Sequence, residues 1–241
     1  MKIRLRLGDC LDLMREIPSQ SVDMVLADLP YGTTQCAWDS LIDLQRLWQE
    51  YKRVCKPNAA IVLTATQPFT SALVMSNAEM FRYDLVWEKG NATGFLNAKK
   101  MPLRAHESVL VFYGKLPTYN PQMTQGHTRK TSTRDSVNTD IYGSADHSIK
   151  YDSTERYPRS VQFFSSDKQH CSLHSTQKPV DLGRWLVRTY TNAGETVLDN
   201  TMGSGSFGVA AILEGRSFWG IEKDPDIFQL AADRIKKVVN N

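Results

Sequence analysis

Seven apolar runs, most of them continuous and alternating with stretches of helical periodicity, predict a doubly wound α/β fold for this chain of 241 residues. Continuous apolarity is what strands need in a sheet covered on both faces. The length suffices for one sizeable domain carrying a small insertion.

The elements follow in order. Ile3–Leu7 and Val22–Ala27 read as the first two strands. Leu41–Val54 spaces its apolar residues three and four apart, the period of an amphipathic helix, and stops before Lys56-Pro57-Asn58. Ala60–Thr64, Tyr83–Trp87 and Val109–Tyr113 read as three more strands. From Lys115 to Thr176 the chain is rich in Ser, Thr, Asn and Gly without periodicity, too long a stretch for a plain connection. Pro179–Tyr190 reads as a helix, Thr196–Leu198 as a strand, Phe207–Leu213 as a helix and Ser217–Ile221 as the last strand. The closing helix begins at Asp224 as cap with Pro225 in its first turn and ends in Lys236-Lys237, a polarity matched to the helix dipole.

Composition narrows the function classes. Apolar and charged fractions of 41% and 23% are those of a globular protein. The net charge of +3 is mild, so any affinity for nucleic acid must come from local clusters. No run has the apolar length of a membrane span, and Met1–Asp9 interleaves charge too tightly for a signal peptide. Cys10, Cys36, Cys55 and Cys171 lack paired spacing, which points to reduced thiols in a cytoplasmic protein, with neither a disulfide framework nor a metal site.

Two runs carry chemistry. Val22–Ala27 delivers Asp28-Leu29-Pro30-Tyr31 onto a loop, where a carboxylate, a stiff turn and an exposed aromatic can hold a planar amine. Thr196–Leu198 leads through Asp199 into Gly203-Ser204-Gly205 and Gly208, a Gly-x-Gly-x-x-Gly turn at a helix N-terminus that admits a nucleotide-like cofactor to the backbone. Glu222 ends the next strand about 20 residues later, where an acid can accept ribose hydroxyls.

Together these runs resemble the amino-methyltransferases of DNA, whose catalytic motif is Asp/Asn/Ser-Pro-Pro-Tyr and whose S-adenosylmethionine (AdoMet) motif is Asp-x-Phe-x-Gly-x-Gly. The catalytic motif comes first here, the circularly permuted order of that family's β-group. The segments around Val54–Asn58, Tyr83–Lys89, His106–Phe112 and His174–Pro179 are similar to family segments too. The resemblance implies a seven-stranded Rossmann-like AdoMet methyltransferase sheet. Residues 1–114 would form its catalytic half, 115–170 a target-recognition insertion and 171–241 its AdoMet-binding half. NAD is the rival cofactor. It is disfavoured because Asp199-Asn200-Thr201-Met202 separates the strand from the first glycine, and because too few residues follow Glu222 for a second mononucleotide half.

Residue by residue, the resemblance implies that Asp28 and the Leu29 carbonyl accept the two hydrogens of the target amine. Pro30 stiffens the turn and Tyr31 stacks on the base. Asp9 and Cys10 reach the cofactor adenine, Lys178 the methionine carboxylate, and Asp199, Gly203, Ser204, Gly205 and Glu222 the rest of AdoMet. Leu29 and Thr201 depart from the family pattern, which has proline and an aromatic residue there. A DNA enzyme of this kind must flip its target out of the duplex. Lys99, Lys100 and Arg104, near Gly94 and Phe95, are candidates for gripping double-stranded DNA, as are Arg129, Lys130 and Arg134 in the insertion, where Asn138, Arg156 and Arg159 are also available. An Asp-led motif in this family goes with adenine N6 and a Ser-led one with cytosine N4, so the expectation is an adenine-specific restriction–modification methyltransferase. Cytosine N4, RNA, a protein amide and a catalytically silent relative are the alternatives. The permuted order is compatible with a homodimer.

Overall fold

A computed structural model describes residues 1–32, 41–134, 137–139, 143–145, 149–165 and 177–240. All seven strands expected from the apolar runs are present: β1 (Ile3–Leu7), β2 (Val22–Asp28), β3 (Cys55–Ala65), β4 (Phe81–Thr93), β5 (Arg104–Phe112), β11 (Thr196–Asp199) and β12 (Ser217–Glu222). Between them lie α1 (Cys10–Leu13), α2 (Leu44–Val54), α3 (Phe69–Ser76), α4 (Val180–Tyr190) and α5 (Ser206–Leu213), and α6 (Pro225–Val239) closes the chain. Short strands β6 (Lys130–Arg134), β7 (Val137–Thr139), β8 (Gly143–Ala145), β9 (Ile149–Ser153) and β10 (Val161–Phe164) occupy the segment that lacks periodicity.

The main sheet has eight strands in the order β1-β12-β11-β2-β3-β5-β4-β10, one more than the sequence predicts. The eighth is β10, which pairs in parallel with the edge of β4, Val161 opposite Val86. Only four residues long and half-exposed, β10 lacks the continuous apolarity that marks the buried strands. From β1 to β3 every pairing is parallel, and β5 runs antiparallel between β3 and β4.

Both sheet faces are covered. Leu47, Trp48, Tyr51 and Val54 of α2 and Leu73 of α3 pack on one face with Val25, Ile61 and Leu63. Leu182 and Leu186 of α4, Phe207 of α5 and Ile235 of α6 pack on the other with Met24, Leu26 and Val62. The side chains of adjacent β2 residues therefore enter opposite layers, the period-two geometry of a strand buried on both sides. Side-chain caps set three of the helix starts, that of Asp9 ahead of α1 among them. Asp43 accepts from Gln45 and Arg46 N–H ahead of α2, and Asp224, the cap read from the sequence, from Asp226 and Ile227 N–H ahead of α6. Helix α3 carries no such signal: it mixes apolar and small residues without an amphipathic stripe.

The chain divides into two compact units, residues 1–120 with 160–241 and Pro121–Arg159. The smaller unit contains two hairpins, β6–β9 and β7–β8. No helix among the described residues is long and apolar enough to cross a membrane.

Candidate active site

Four parallel strands of the main sheet lead to acids along one edge. β2 ends at Asp28, β11 at Asp199 and β12 at Glu222, and β1 runs into Gly8-Asp9. The carboxyl ends of parallel strands are where open α/β sheets bind ligands. Asp28, Lys178, Asp199, Thr201, Gly203 and Ser204 line a single cleft there, with Met202, Ser206 and Phe207. Thr201 joins the two motifs, its hydroxyl donating to the Asp28 backbone carbonyl at 3.0 Å across 173 residues of sequence. The departure from the family's aromatic residue thus has a visible use in this chain.

Asp28 is held by three donors. Its Oδ1 accepts from the Tyr31 hydroxyl at 2.6 Å and the Thr64 hydroxyl at 2.5 Å, and its Oδ2 from Lys178 Nζ at 2.6 Å. An ionised carboxylate has about four acceptor positions, so one remains on Oδ2. Leu29 is buried in the core and anchors the turn that the family stiffens with a first proline. The Tyr31 ring stacks on Phe69 with centroids 5.4 Å apart, which holds the ring in place. Burial, and then the Asp28 charge, push the Tyr31 hydroxyl well above the usual phenol range and keep it a donor.

Behind Asp28 lies an ion cluster that brings together three of the family-like segments, at Lys89, Glu107 and Lys178. Lys178 Nζ is 3.3 Å from Glu107 Oε2, and Glu107 Oε1 bonds Lys89 Nζ. Burial opposes the charge on Glu107, but Lys178 and Lys89 outweigh it and hold the carboxyl below its usual range. Burial likewise works against the Lys178 ammonium, while Asp28 leads the groups that raise it above the ordinary lysine value. The resemblance put Lys178 beside a methionine carboxylate; here its Nζ donates to Asp28 and lies in ion-pair contact with Glu107 Oε2, which accepts no hydrogen bond. Thr64, Glu107, Lys89 and Phe69 are the site residues missed from the sequence. The available signals were a polar residue near the end of a buried strand and an acid just before an apolar run.

On the cofactor side, Gly203 and Gly205 both take positive φ, 49° and 77°, which favours glycine. A Cβ at Gly203 would meet nothing within 4 Å, so the backbone faces open space there, whereas one at Gly205 would fall 3.1 Å from Ala231 Cβ, so that glycine serves the packing against α6. Glu222 organises this loop: its Oε2 accepts from Gly203 N–H at 2.9 Å and its Oε1 from Lys223 and Asp224 N–H. One acceptor position remains on Oε2 for a hydroxyl. Gly8 N–H donates to the Glu222 carbonyl at 2.8 Å, which sets Asp9 beside that strand end, exposed and capping α1 through Leu11 N–H. Ser204 gives its carbonyl to Arg234 at 3.1 Å. Asp199 accepts from Thr201 N–H at 3.1 Å, and burial pushes its carboxyl well above the usual range. The Cys10 side chain, expected in the cofactor pocket, packs into the core instead, and burial pushes its thiol up to about 11; only its backbone remains for that role.

The predicted nucleic-acid contacts divide. Lys99, Lys100 and Arg104 are all exposed. Lys130 is exposed on β6 of the smaller unit. Arg129 forms a two-pronged ion pair with Asp152 at 2.7 and 2.6 Å, so it braces the β6–β9 hairpin and is not an unpaired cation. Arg156 similarly serves the fold of that unit, donating to the Ser153, Glu155 and Thr128 carbonyls. The side chains of Arg134 and Asn138, and all of Cys36, Cys171 and His174, lie outside the described residues. Among the described residues no group of three His, Cys, Asp or Glu side chains could hold a metal ion.

Known proteins share the family and the fold of this chain. A family model described as DNA methylase matches residues 22–233. The type II methyltransferase M.HinfI of Haemophilus influenzae is 25% identical over 268 residues, covering 97% of this chain and 68% of that protein. Among solved structures, the M1.HpyAVI–SAM complex superposes with a TM-score of 0.67 at 21% identity, covering 96% of this chain and 99% of that one. The PvuII DNA methyltransferase, cytosine-N4-specific by its title, superposes with a TM-score of 0.69 at 15% identity, covering 100% and 92%.

Proposed function

This chain belongs to the DNA methylase family, and from that premise we propose that it transfers a methyl group from AdoMet to the exocyclic N6 amine of an adenine flipped out of double-stranded DNA. One observation carries the reading: the amine-holding carboxylate Asp28 and the glycine loop at Gly203 line the same cleft.

An exocyclic amine is a poor nucleophile because its lone pair is delocalised into the ring. Asp28 Oδ2 has one acceptor position open for an amine hydrogen, and the Leu29 carbonyl takes the other. This pair draws the nitrogen towards tetrahedral geometry and fixes its direction of attack. Tyr31, braced by Phe69, carries the base. Lys178, held by Glu107, fixes the Asp28 carboxylate from behind. The residues present fit the cofactor. Gly203 would admit it to the backbone, Glu222 would take the ribose, Asp9 the adenine amine and a free Lys178 N–H the methionine carboxylate, while Gly205 packs the loop against α6. When bound, AdoMet supplies an electrophilic methyl group on a sulfonium. After transfer the methylated aminium is acidic enough to release its proton without a strong base. We assign Lys99, Lys100 and Arg104 to phosphate contacts and the Pro121–Arg159 unit to target recognition.

Adenine is preferred because the motif is led by Asp. Cytosine N4 is the second reading: it presents the same planar amine, and the cytosine-N4-specific PvuII enzyme shares the fold. The test is incubation with methyl-labelled AdoMet and parallel DNA, RNA and protein substrates, followed by nucleoside analysis. The expected product is N6-methyladenine in DNA. N4-methylcytosine would overturn the base assignment, and label confined to RNA or protein would overturn the substrate class.

A further inference from the structure

The β4–β5 ribbon ends in a surface that neither folding nor the chemistry above uses. Phe95 is 77% exposed, Leu96 83%, Met101 58% and Leu103 44%. Single exposed apolar residues are ordinary, but four large ones within one tip mark a contact surface. The tip is held by its own hydrogen bonds. Gly94 turns the chain at φ 89°, Asn97 N–H donates to its carbonyl, and the Asn97 carbonyl accepts from Lys100 and Met101 N–H. Phe95 and Leu96 are thereby kept outward on a built turn.

Two observations say what covers this surface. Lys99, Lys100 and Arg104 are exposed in the same tip, and among the described residues no ion pair joins any of them to a carboxylate, so the apolar tip carries three cations beside it. The ribbon also grows directly out of the active site. Lys89 on β4 bonds Glu107 on β5, and both belong to the cluster behind Asp28. Arg104, which pairs with Thr93 at the base of the tip, lies three residues before Glu107, about 10 Å along β5, while β4 bulges between Glu88 and Thr93. A polyanion with apolar interior surfaces, docked next to an amine-binding carboxylate, is duplex DNA with its stacked bases.

We propose that Phe95 and Leu96 form an apolar wedge that enters the base stack beside the target nucleotide, while the neighbouring cations hold the phosphates. The wedge rests on the DNA-methylation reading and adds the means of flipping to it. Extruding a paired base has to overcome its stacking and pairing, and an inserted apolar side chain replaces part of the lost stacking.

The test uses the full chain and a double variant, Phe95→Ala with Leu96→Ala. The methylated position is first located by sequencing DNA treated with the wild-type enzyme. Turnover is then compared on a duplex with a paired target and on one whose target faces an abasic site, where the unpairing cost is already met. The expected result is a loss of about tenfold or more in kcat/KM on the paired duplex, recovered to within a few-fold of wild type on the abasic one, with AdoMet affinity unchanged. An equal loss on both duplexes, or no loss on either, would overturn the wedge. A second measurement does not depend on methyl transfer. The emission of a Phe95→Trp variant should be quenched by duplex DNA and unaffected by phosphatidylglycerol vesicles or by raising the protein concentration. A response to vesicles or to concentration with none to DNA would assign the tip to a membrane surface or to self-association and refute the proposal. If wild-type protein leaves every DNA unmethylated while duplex DNA still quenches the Phe95→Trp variant, the methylation reading fails and the insertion stands.

Discussion

Replacing Glu107 with Gln keeps its shape and removes a buried negative charge from between two buried ammonium groups. The side chains of Lys89, Glu107 and Lys178 are 12%, 10% and 10% exposed, so little solvent screens them. Removing one member of such a cluster costs about 3–5 kcal/mol, because the remaining charge is left uncompensated. Lys178 keeps Asp28 as a partner, which puts the expected loss at the lower end, about 3 kcal/mol. For a chain of this size that is a fall in Tm of roughly 6–12 °C. The pH dependence has a definite sign. The Glu107 carboxyl titrates below its usual range in the folded protein, so its contribution is complete above the unfolded value of about 4.3 and is lost as the pH falls through the folded one. The gap in Tm between wild type and variant should therefore be constant at neutral pH and close only in acid. Thermal unfolding followed by circular dichroism, on Glu107→Gln, Lys89→Met and the double variant, reads both effects. With Lys89 already replaced, the Glu107→Gln loss should shrink, since one stranded ammonium has gone. A Tm within about 2 °C of wild type for the single variant, or strictly additive losses, would refute the claim that this cluster is a coupled unit.

Other outcomes follow from the same geometry. Replacing Lys99, Lys100 and Arg104 together with Ala should weaken DNA binding about equally for cognate and unrelated sequences. The slope of log K against log salt should flatten by up to about 0.9 per lost contact; salt-titrated anisotropy showing the wild-type slope would return these residues to the solvated surface. Gly208→Ala should destabilise the fold by about 1–3 kcal/mol through overpacking, because its Cβ would fall 2.6 Å from Phe218 Cε1 and 2.8 Å from Ile235 Cδ1. AdoMet affinity by calorimetry should hold, since this third glycine serves helix packing; a selective loss of affinity at unchanged stability would contradict that.

Legibility in the sequence tracked locality. The strands buried on both faces announced themselves through continuous apolar runs, and α6 through Asp224 and Pro225, because those signals lie within a few consecutive residues. Asp28 and the Gly203–Gly205 turn were legible for the same reason. What escaped depends on contacts between distant segments. Thr64 meets Asp28 only because β2 and β3 pair in register, and Glu107 meets Lys178 only once β5 and the start of α4 converge. Arg129 looked like an available cation because its partner Asp152 lies 23 residues away, across a hairpin that no periodicity revealed. Thr201 looked like a defect in the cofactor motif and is instead the hydrogen bond that ties that motif to the catalytic strand.

On the proposed reading, Asp28 performs chemistry in a cleft whose other wall binds the cofactor. Asp28→Ala tests this most directly, since it removes the carboxylate that accepts from Tyr31, Thr64 and Lys178 and leaves no side-chain acceptor in its place. Methyl transfer to DNA under single-turnover conditions should fall about a hundredfold or more, the loss expected when a transition-state acceptor is removed, while calorimetric AdoMet affinity stays within a few-fold of wild type. A variant that methylates DNA at close to the wild-type rate, or one that loses AdoMet binding in step with its activity, would contradict the role assigned to Asp28.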